Sequence, residues 1–208
     1  MDEIKSRPKL VLGSSSPRRR DLLDAVGLTY SVLKPETPEV PMPGELPEAY
    51  TRRNAEEKAA WVVDRLSASE RTPAGLLVIS ADTIVVLDDK ILEKPSDPDH
   101  AKTMLRGLSG RWHTVISGVT LQSAFGPSPH RQTFAVHTRV LIKSLSDAEI
   151  DSYVRTGEPL DKAGAYAAQG IGSYMVERIE GSYANVVGLP IAEVVQALEQ
   201  SFGYTIWG

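Results

Sequence analysis

The chain contains no cysteine. That excludes a disulfide scaffold, a thiol nucleophile and any Cys-based zinc or iron–sulfur site, and it fits a reducing compartment. No apolar run approaches the 18 residues that a membrane span requires. The first eight residues, MDEIKSRP, lack the apolar core of a secretory signal, so a soluble, cytoplasmic chain is expected. An excess of basic residues is also missing: 23 lysines and arginines face 27 acids, for a net charge of −4. Gripping long nucleic acid is therefore disfavoured, although a local basic cluster can still bind a small polyanion. Internal repeats and low-complexity tracts are absent. The four histidines (His100, His113, His130, His137) show no metal-ligand spacing, and His113 reads as a strand residue without a chemical role.

What is present is ordinary globular material. Hydrophobic residues make up 41% of 208 positions, and a chain of this length buries about 70% of its unfolded surface. Lys9–Gly13 suits a buried strand. Ser16 then reads as an N-cap, Pro17 as the first helical residue and Gly27 as the stop. Five prolines between residues 34 and 47 mark a loop. A helix is expected from about Pro47 to Leu66, with Ala55, Ala59, Val62, Val63 and Leu66 on one stripe. Residues 76–87 read as a strand and Asp88-Asp89 as a turn before Ile91-Leu92. Asp97 caps a helix to about Leu108. Strands are expected at 112–121, 132–143 and Tyr174–Ile179, with helices over Asp147–Arg155, capped by Ser146, and about Pro190–Ser201. Helices are interleaved with strands that follow one another directly, which predicts a mixed α/β sheet flanked by helices. The expected organisation is an N-terminal extension over 1–8 and a single domain over 9–208, of one or two lobes.

Gly13-Ser-Ser-Ser-Pro-Arg-Arg-Arg20 is the most informative segment. A strand that ends in small residues and opens a helix leaves backbone N–H groups pointing outward, at the positive end of the helix dipole. Arg18, Arg19 and Arg20 crowd that same end, which is electrostatically unfavourable unless an anion is bound; a solvated arginine cluster or a localisation signal would look alike. The segment is not a Walker A loop, because no Gly-x-x-x-x-Gly-Lys occurs. Asp82 interrupts an apolar strand, so its carboxylate must be paired, metal-bound or protonated. Glu39 could supply a second oxygen ligand if the proline-rich loop folds over. Magnesium needs only one or two carboxylates besides water and substrate phosphates. Lys58 and Lys94, each alone, read as solvated charges. The glycine-rich run around Leu160–Tyr166 and Gln169–Gly172 would let backbone approach a ligand closely.

Taken in order, these blocks resemble the Maf family of nucleotide pyrophosphatases. Ser-Ser-Ser-Pro-Arg-Arg, Asn-Ala-Glu-Glu-Lys-Ala, Ser-Ala-Asp-Thr-Ile-Val and Leu-Glu-Lys-Pro are followed by Leu-Ser-Gly-Arg, Glu-Pro-Leu-Asp-Lys-Ala-Gly-Ala-Tyr, Gln-Gly and Asn-Val-Val-Gly-Leu-Pro. The likeness runs from about Lys9 to Leu198. It implies a Maf/ITPase-like mixed α/β fold, a homodimer, and hydrolysis of a nucleoside triphosphate between its α- and β-phosphates with Mg²⁺ or Mn²⁺. By position, Asp82 would be the catalytic carboxylate and a metal ligand, with Glu39 a second acid near the metal. The family often has two adjacent acids there, whereas this chain has Pro38-Glu39. Ser14, Ser16, Arg19, Lys58 and Lys94 would surround the phosphates, joined by Lys162. Three positions associated with the choice of base correspond to Arg18, Thr83 and Gln169, and all three match the branch acting on dTTP and UTP. Gln169 can offer both a donor and an acceptor to a base edge. The rival readings are a pyrophosphatase for 7-methyl-GTP or other modified purines, and a non-catalytic nucleotide-binding regulator of cell division.

Overall fold

The computed structural model describes residues 7–66, 75–124 and 130–206; most of the expected N-terminal extension lies outside these. One seven-stranded mixed sheet organises the chain. Its strands are β1 (Lys9–Gly13), β2 (Tyr30–Val32), β3 (Leu76–Leu87), β4 (Lys90–Leu92), β5 (Trp112–Ala124), β6 (Arg131–Ile142) and β7 (Val176–Glu180). The order is β2-β1-β3-β5-β6-β7, with β4 also paired to β3. β1 runs parallel to both of its neighbours, and all other pairs are antiparallel. The helices are α1 (Pro17–Ala25), α2 (Pro47–Arg65), α3 (Pro98–Leu108), α4 (Asp147–Arg155), α5 (Tyr183–Val187) and α6 (Ile191–Phe202). None is long and apolar enough to cross a membrane.

Strand β3 decides where the site forms. One of its edges pairs with β5 from Leu76 to Val86. The other edge takes β1 over Leu76–Ser80 and β4 over Val85–Leu87. Ala81–Ile84 therefore have no strand partner on that side, and Asp82 and Thr83 sit at the middle of this opening. Because side chains alternate across a strand, Asp82 and Thr83 emerge on opposite faces.

On the Asp82 face, α2 packs through Ala59, Val62 and Leu66 against Val11, Leu76 and Val78. Its other end packs through Tyr50 against Ile84 and Ile116. This close approach depends on Gly118, the cross-strand partner of Asp82. A Cβ there would lie 2.4 Å from the Thr51 carbonyl oxygen. On the Thr83 face the core falls into two clusters. One joins Leu10, Leu12, Leu23, Leu77, Ile79 and Ala81 to α6. The other joins Val85 and Leu87 to α3 and α4. Thr83 lies in sequence between the two, at the seam of two lobes that share one sheet.

The observed elements match the expected ones closely, with instructive exceptions. Ser16 has extended N-cap geometry, but its side chain caps nothing; instead its N–H donates to Ser14 Oγ at 3.2 Å. The strand expected at 174–179 begins at Val176, because Ile171–Met175 forms a 3₁₀ turn. β2 and α5, of three and five residues, are additions that no periodicity foretold. Ser146 caps α4 through a full capping box with Glu149.

Candidate active site

The cavity beside the β3 opening has a volume of about 670 Å³, within the usual range for small-molecule sites. All eleven residues singled out in the sequence line it: Ser14, Ser16, Arg18, Arg19, Glu39, Lys58, Asp82, Thr83, Lys94, Lys162 and Gln169. They come from the C-terminal end of β1, the start of α1, the proline-rich loop, α2, β3, the segment after β4 and the turns that follow α4.

Asp82 is buried and fully partnered. Lys58 Nζ donates to its Oδ1 at 2.7 Å and Asn54 Nδ2 to its Oδ2 at 2.9 Å. Asn54 and Lys58 are four residues apart on α2, so they fall on one helical face. Burial alone would raise the Asp82 pKa. The Lys58 ammonium, the Asn54 amide and the Arg19 charge outweigh it and hold the carboxyl below its ordinary range.

The proline-rich loop does fold over. Arg53 grips Glu45 with two bonds of 2.7 and 2.8 Å and reaches the Val40 carbonyl, while the Tyr50 hydroxyl reaches the Glu39 carbonyl oxygen at 3.1 Å. Anchored in this way, Glu39 Oε1 stands 2.9 Å from Lys58 Nζ. One buried ammonium thus bridges Glu39 and Asp82, which places both carboxylates within reach of a single cation. No group of three or more acidic or histidine side chains able to hold a metal occurs among the described residues. The available donors are two carboxylates and the Asn54 Oδ1, which is buried without a partner. That sparse all-oxygen set suits magnesium or manganese better than a dedicated protein cage.

Arg19 is the second centre of charge. Of the three successive arginines only this one is buried, as the 100° step between helix residues requires. Its Nε donates to the Gly188 carbonyl at 2.8 Å, one terminal nitrogen to Ser14 Oγ at 3.0 Å, and the other to Thr83 Oγ1 at 3.2 Å. All three acceptors are neutral, and no carboxylate forms an ion pair with it among the described residues. Burial lowers its pKa, with Asp82 and Glu39 partly offsetting that loss. A guanidinium so held has spare donor capacity and a charge that Asp82 and Glu39 compensate only at a distance, the combination that favours a bound anion.

The remaining residues have looser partners. Lys94 and Gln169 make no hydrogen bond to the described residues. Arg18 lies 4.0 Å from Asp161, and Lys162 is paired to the same Asp161. Thr83 meets Arg19, Ser117 Oγ at 2.8 Å and the Gly188 carbonyl at 3.2 Å, so its hydroxyl faces protein groups on three sides.

Sequence reasoning missed Asn54, Gly188 and Asp161. Asn54 was legible in principle, lying one helical turn before Lys58. The part played by the Gly188 carbonyl had no local signal. The Gly188 N–H donates to the Asn185 carbonyl at 3.0 Å, and Asn185 is itself anchored, with its amide nitrogen within 3.2 Å of the Val115 and Val136 carbonyls and of Thr138 Oγ1.

The profile of the family described as Maf-like protein matches residues 9–201. The dTTP/UTP pyrophosphatase of Anaeromyxobacter dehalogenans is 46% identical over 93% of this chain and 94% of its own length. That of Myxococcus xanthus is 45% identical over 92% of each, and that of Shewanella oneidensis 46% identical over 92% and 97%. Among solved structures, the Staphylococcus aureus Ham1 protein overlaps 81% of this chain and 79% of its own, at 14% identity and a TM-score of 0.39. With a profile match that takes in nearly every element of the sheet and relatives aligned end to end, the chain belongs to the Maf-like protein family.

Proposed function

We propose that this chain is a nucleoside triphosphate pyrophosphatase that cleaves dTTP and UTP to the monophosphate and pyrophosphate. The observation that carries the reading is the pairing of two unlike centres on one cavity. One is a buried carboxylate, Asp82, held ionised; the other is a buried guanidinium, Arg19, with no ion-pair partner among the described residues. A sensor that only binds nucleotide needs the second but not the first. Similarity to relatives named for the same activity supports this substrate class.

The triphosphate is placed against Arg19, Lys58, Lys94 and the Ser14–Ser16 turn, where donors meet the charge that develops on the departing pyrophosphate. Lys58 then has two clients, the phosphate and the carboxylates. As phosphate draws its charge, its hold on Asp82 weakens and the carboxylate becomes more basic. Asp82 orients a water and accepts its proton as the water oxygen attacks the α-phosphorus and the bond to the bridging oxygen breaks. A magnesium or manganese ion held by Asp82 and Glu39 would supply further positive charge to the phosphate oxygens. Gln169, Arg18 and Thr83 form the wall assigned to base selection. The family resemblance also makes a cytoplasmic homodimer the expected assembly, which light scattering would separate from a single chain.

The test is pyrophosphate release from dTTP, UTP, CTP, 7-methyl-GTP and ITP, with and without Mg²⁺ or Mn²⁺. Metal-dependent cleavage of dTTP and UTP is expected. A purine preference would overturn the choice of base, and no cleavage by folded protein would favour a binding role.

A further inference from the structure

Gln169 carries the proposed choice of base, yet it lies on a stretch with no helix or strand to hold it. Two neighbouring side chains take over that task. Tyr153, buried in α4, accepts a hydrogen bond at its hydroxyl from the Ala167 N–H at 3.1 Å. Glu158, the first residue of a 3₁₀ turn after α4, accepts from the Ile171 N–H at 3.0 Å and from the Gly172 N–H at 2.8 Å, one carboxylate oxygen for each. The backbone is therefore fixed two residues before Gln169 and two and three residues after it. The fit is tight. A Cβ on Gly172 would stand 2.5 Å from the Tyr153 hydroxyl, and one on Gly170 would stand 2.3 Å from Glu158 Oε1. Gly170 also has a φ of 78°, which side-chain-bearing residues rarely adopt.

We infer that Glu158, working with Tyr153, is a positioning residue for base selection, because it clamps the C-terminal flank of Gln169, as Tyr153 clamps the N-terminal flank, without facing the phosphates. This rests on the proposed role of Gln169. An ionised carboxylate that accepts two consecutive N–H groups uses both oxygens at once. A glutamine in its place has a single acceptor and turns an NH₂ group toward one of the two N–H donors. Burial and the adjacent Glu158 carboxylate push the Tyr153 hydroxyl well above its ordinary pKa, so it remains a protonated donor throughout the working range.

The experiment compares the full-length wild type with Glu158→Gln and Gln169→Ala, using steady-state kinetics on UTP and CTP, inhibition by pyrophosphate, and amide hydrogen exchange at Ile171 and Gly172. In Glu158→Gln the preference for UTP over CTP should fall about tenfold, the worth of one or two neutral hydrogen bonds. It should fall through KM, with kcat within about threefold, pyrophosphate inhibition unchanged and exchange accelerated at both amides. If Gln169→Ala loses preference while Glu158→Gln keeps it, the clamp is overturned and the role of Gln169 stands. If Gln169→Ala keeps the wild-type preference, the base-reading role falls and the inference falls with it. Equal losses in kcat and pyrophosphate binding for Glu158→Gln would mark a general structural role and overturn positioning. A wild type that cleaves no nucleotide overturns the functional reading itself, which is a separate result from these.

Discussion

The two walls of the cavity are built differently. The wall bearing Asp82, Lys58, Asn54 and Arg19 stands on β3, α2 and α1, where hydrogen-bond ladders and a packed core fix each backbone. The opposite wall, from Glu158 to Met175, is mostly short 3₁₀ turns. It is held by point contacts: Glu158 and Tyr153 on its amides, and His113 Nε2 on the Tyr166 hydroxyl at 2.7 Å. Charge chemistry needs donors that do not yield when a multiply charged ligand arrives, so it belongs on rigid elements. Base selection needs only a shape and a few neutral bonds, which turns can supply. On the proposed reading, the first wall handles the triphosphate, and Gln169 on the second joins Arg18 and Thr83 of the first in choosing the base.

Three measurements would break or sharpen that contrast. The largest effect is expected at Asp82. Asp82→Asn should cut pyrophosphate release by at least about a thousandfold, near the upper range for loss of an acid–base group, with circular dichroism unchanged; a folded variant of near-normal activity would remove Asp82 from the chemistry. The second effect lies behind the turn wall. Burial lowers the His113 pKa to about 4 from the ordinary 6.5. The folded chain therefore refuses a proton that the unfolded chain binds between those values. Stability is fully present above pH 6.5 and is lost as pH falls toward 4, by about 3 kcal/mol in all. His113→Gln should flatten that part of the acid limb in urea unfolding, and an unchanged slope would refute the assignment. The smallest effect is expected at Arg19→Lys, which keeps the charge and loses the fork. The value of kcat/KM should fall about tenfold, and an unchanged kcat/KM would mean that charge alone is recognised.

Part of the charged wall was legible in sequence from strong local rules: Ser14–Arg19 follow a strand-to-helix signature, and Asp82 breaks an apolar strand. Lys58 alone reads as a solvated charge on its helix and was marked only by the family resemblance, while Asn54 was passed over. The convergence of Glu39 on Lys58 was legible only as a condition, since it depends on Arg53 gripping Glu45 across eight residues. The turn wall was much less readable. Three-residue and five-residue elements such as β2 and α5 complete no period that a pattern could show, and β2 exists only because β1 offers it an edge. The dual service of Thr83 could not be read at all. Its position beside Asp82 was plain, but its engagement by Arg19, Ser117 and Gly188 reaches a residue 105 positions away.

The opening in the β3 edge also sets a ruler. Its length is the distance between the last residue that β1 can pair, Ser80, and the first that β4 can pair, Val85. The five steps from Ser80 to Val85, at roughly 3.3 Å of rise each, give about 17 Å. Such an aperture changes only in whole residues. Lengthening β1 or β4 would narrow it by steps of about 3.3 Å, and shortening either would widen it likewise. A pairing shift of one would also carry every side chain of the moved strand to the other face, so a register change that preserves the core comes only in steps of two. Gradual tuning of ligand size is therefore left to side chains and turns, while the strands fix a coarse gauge that evolution or design can alter only in jumps.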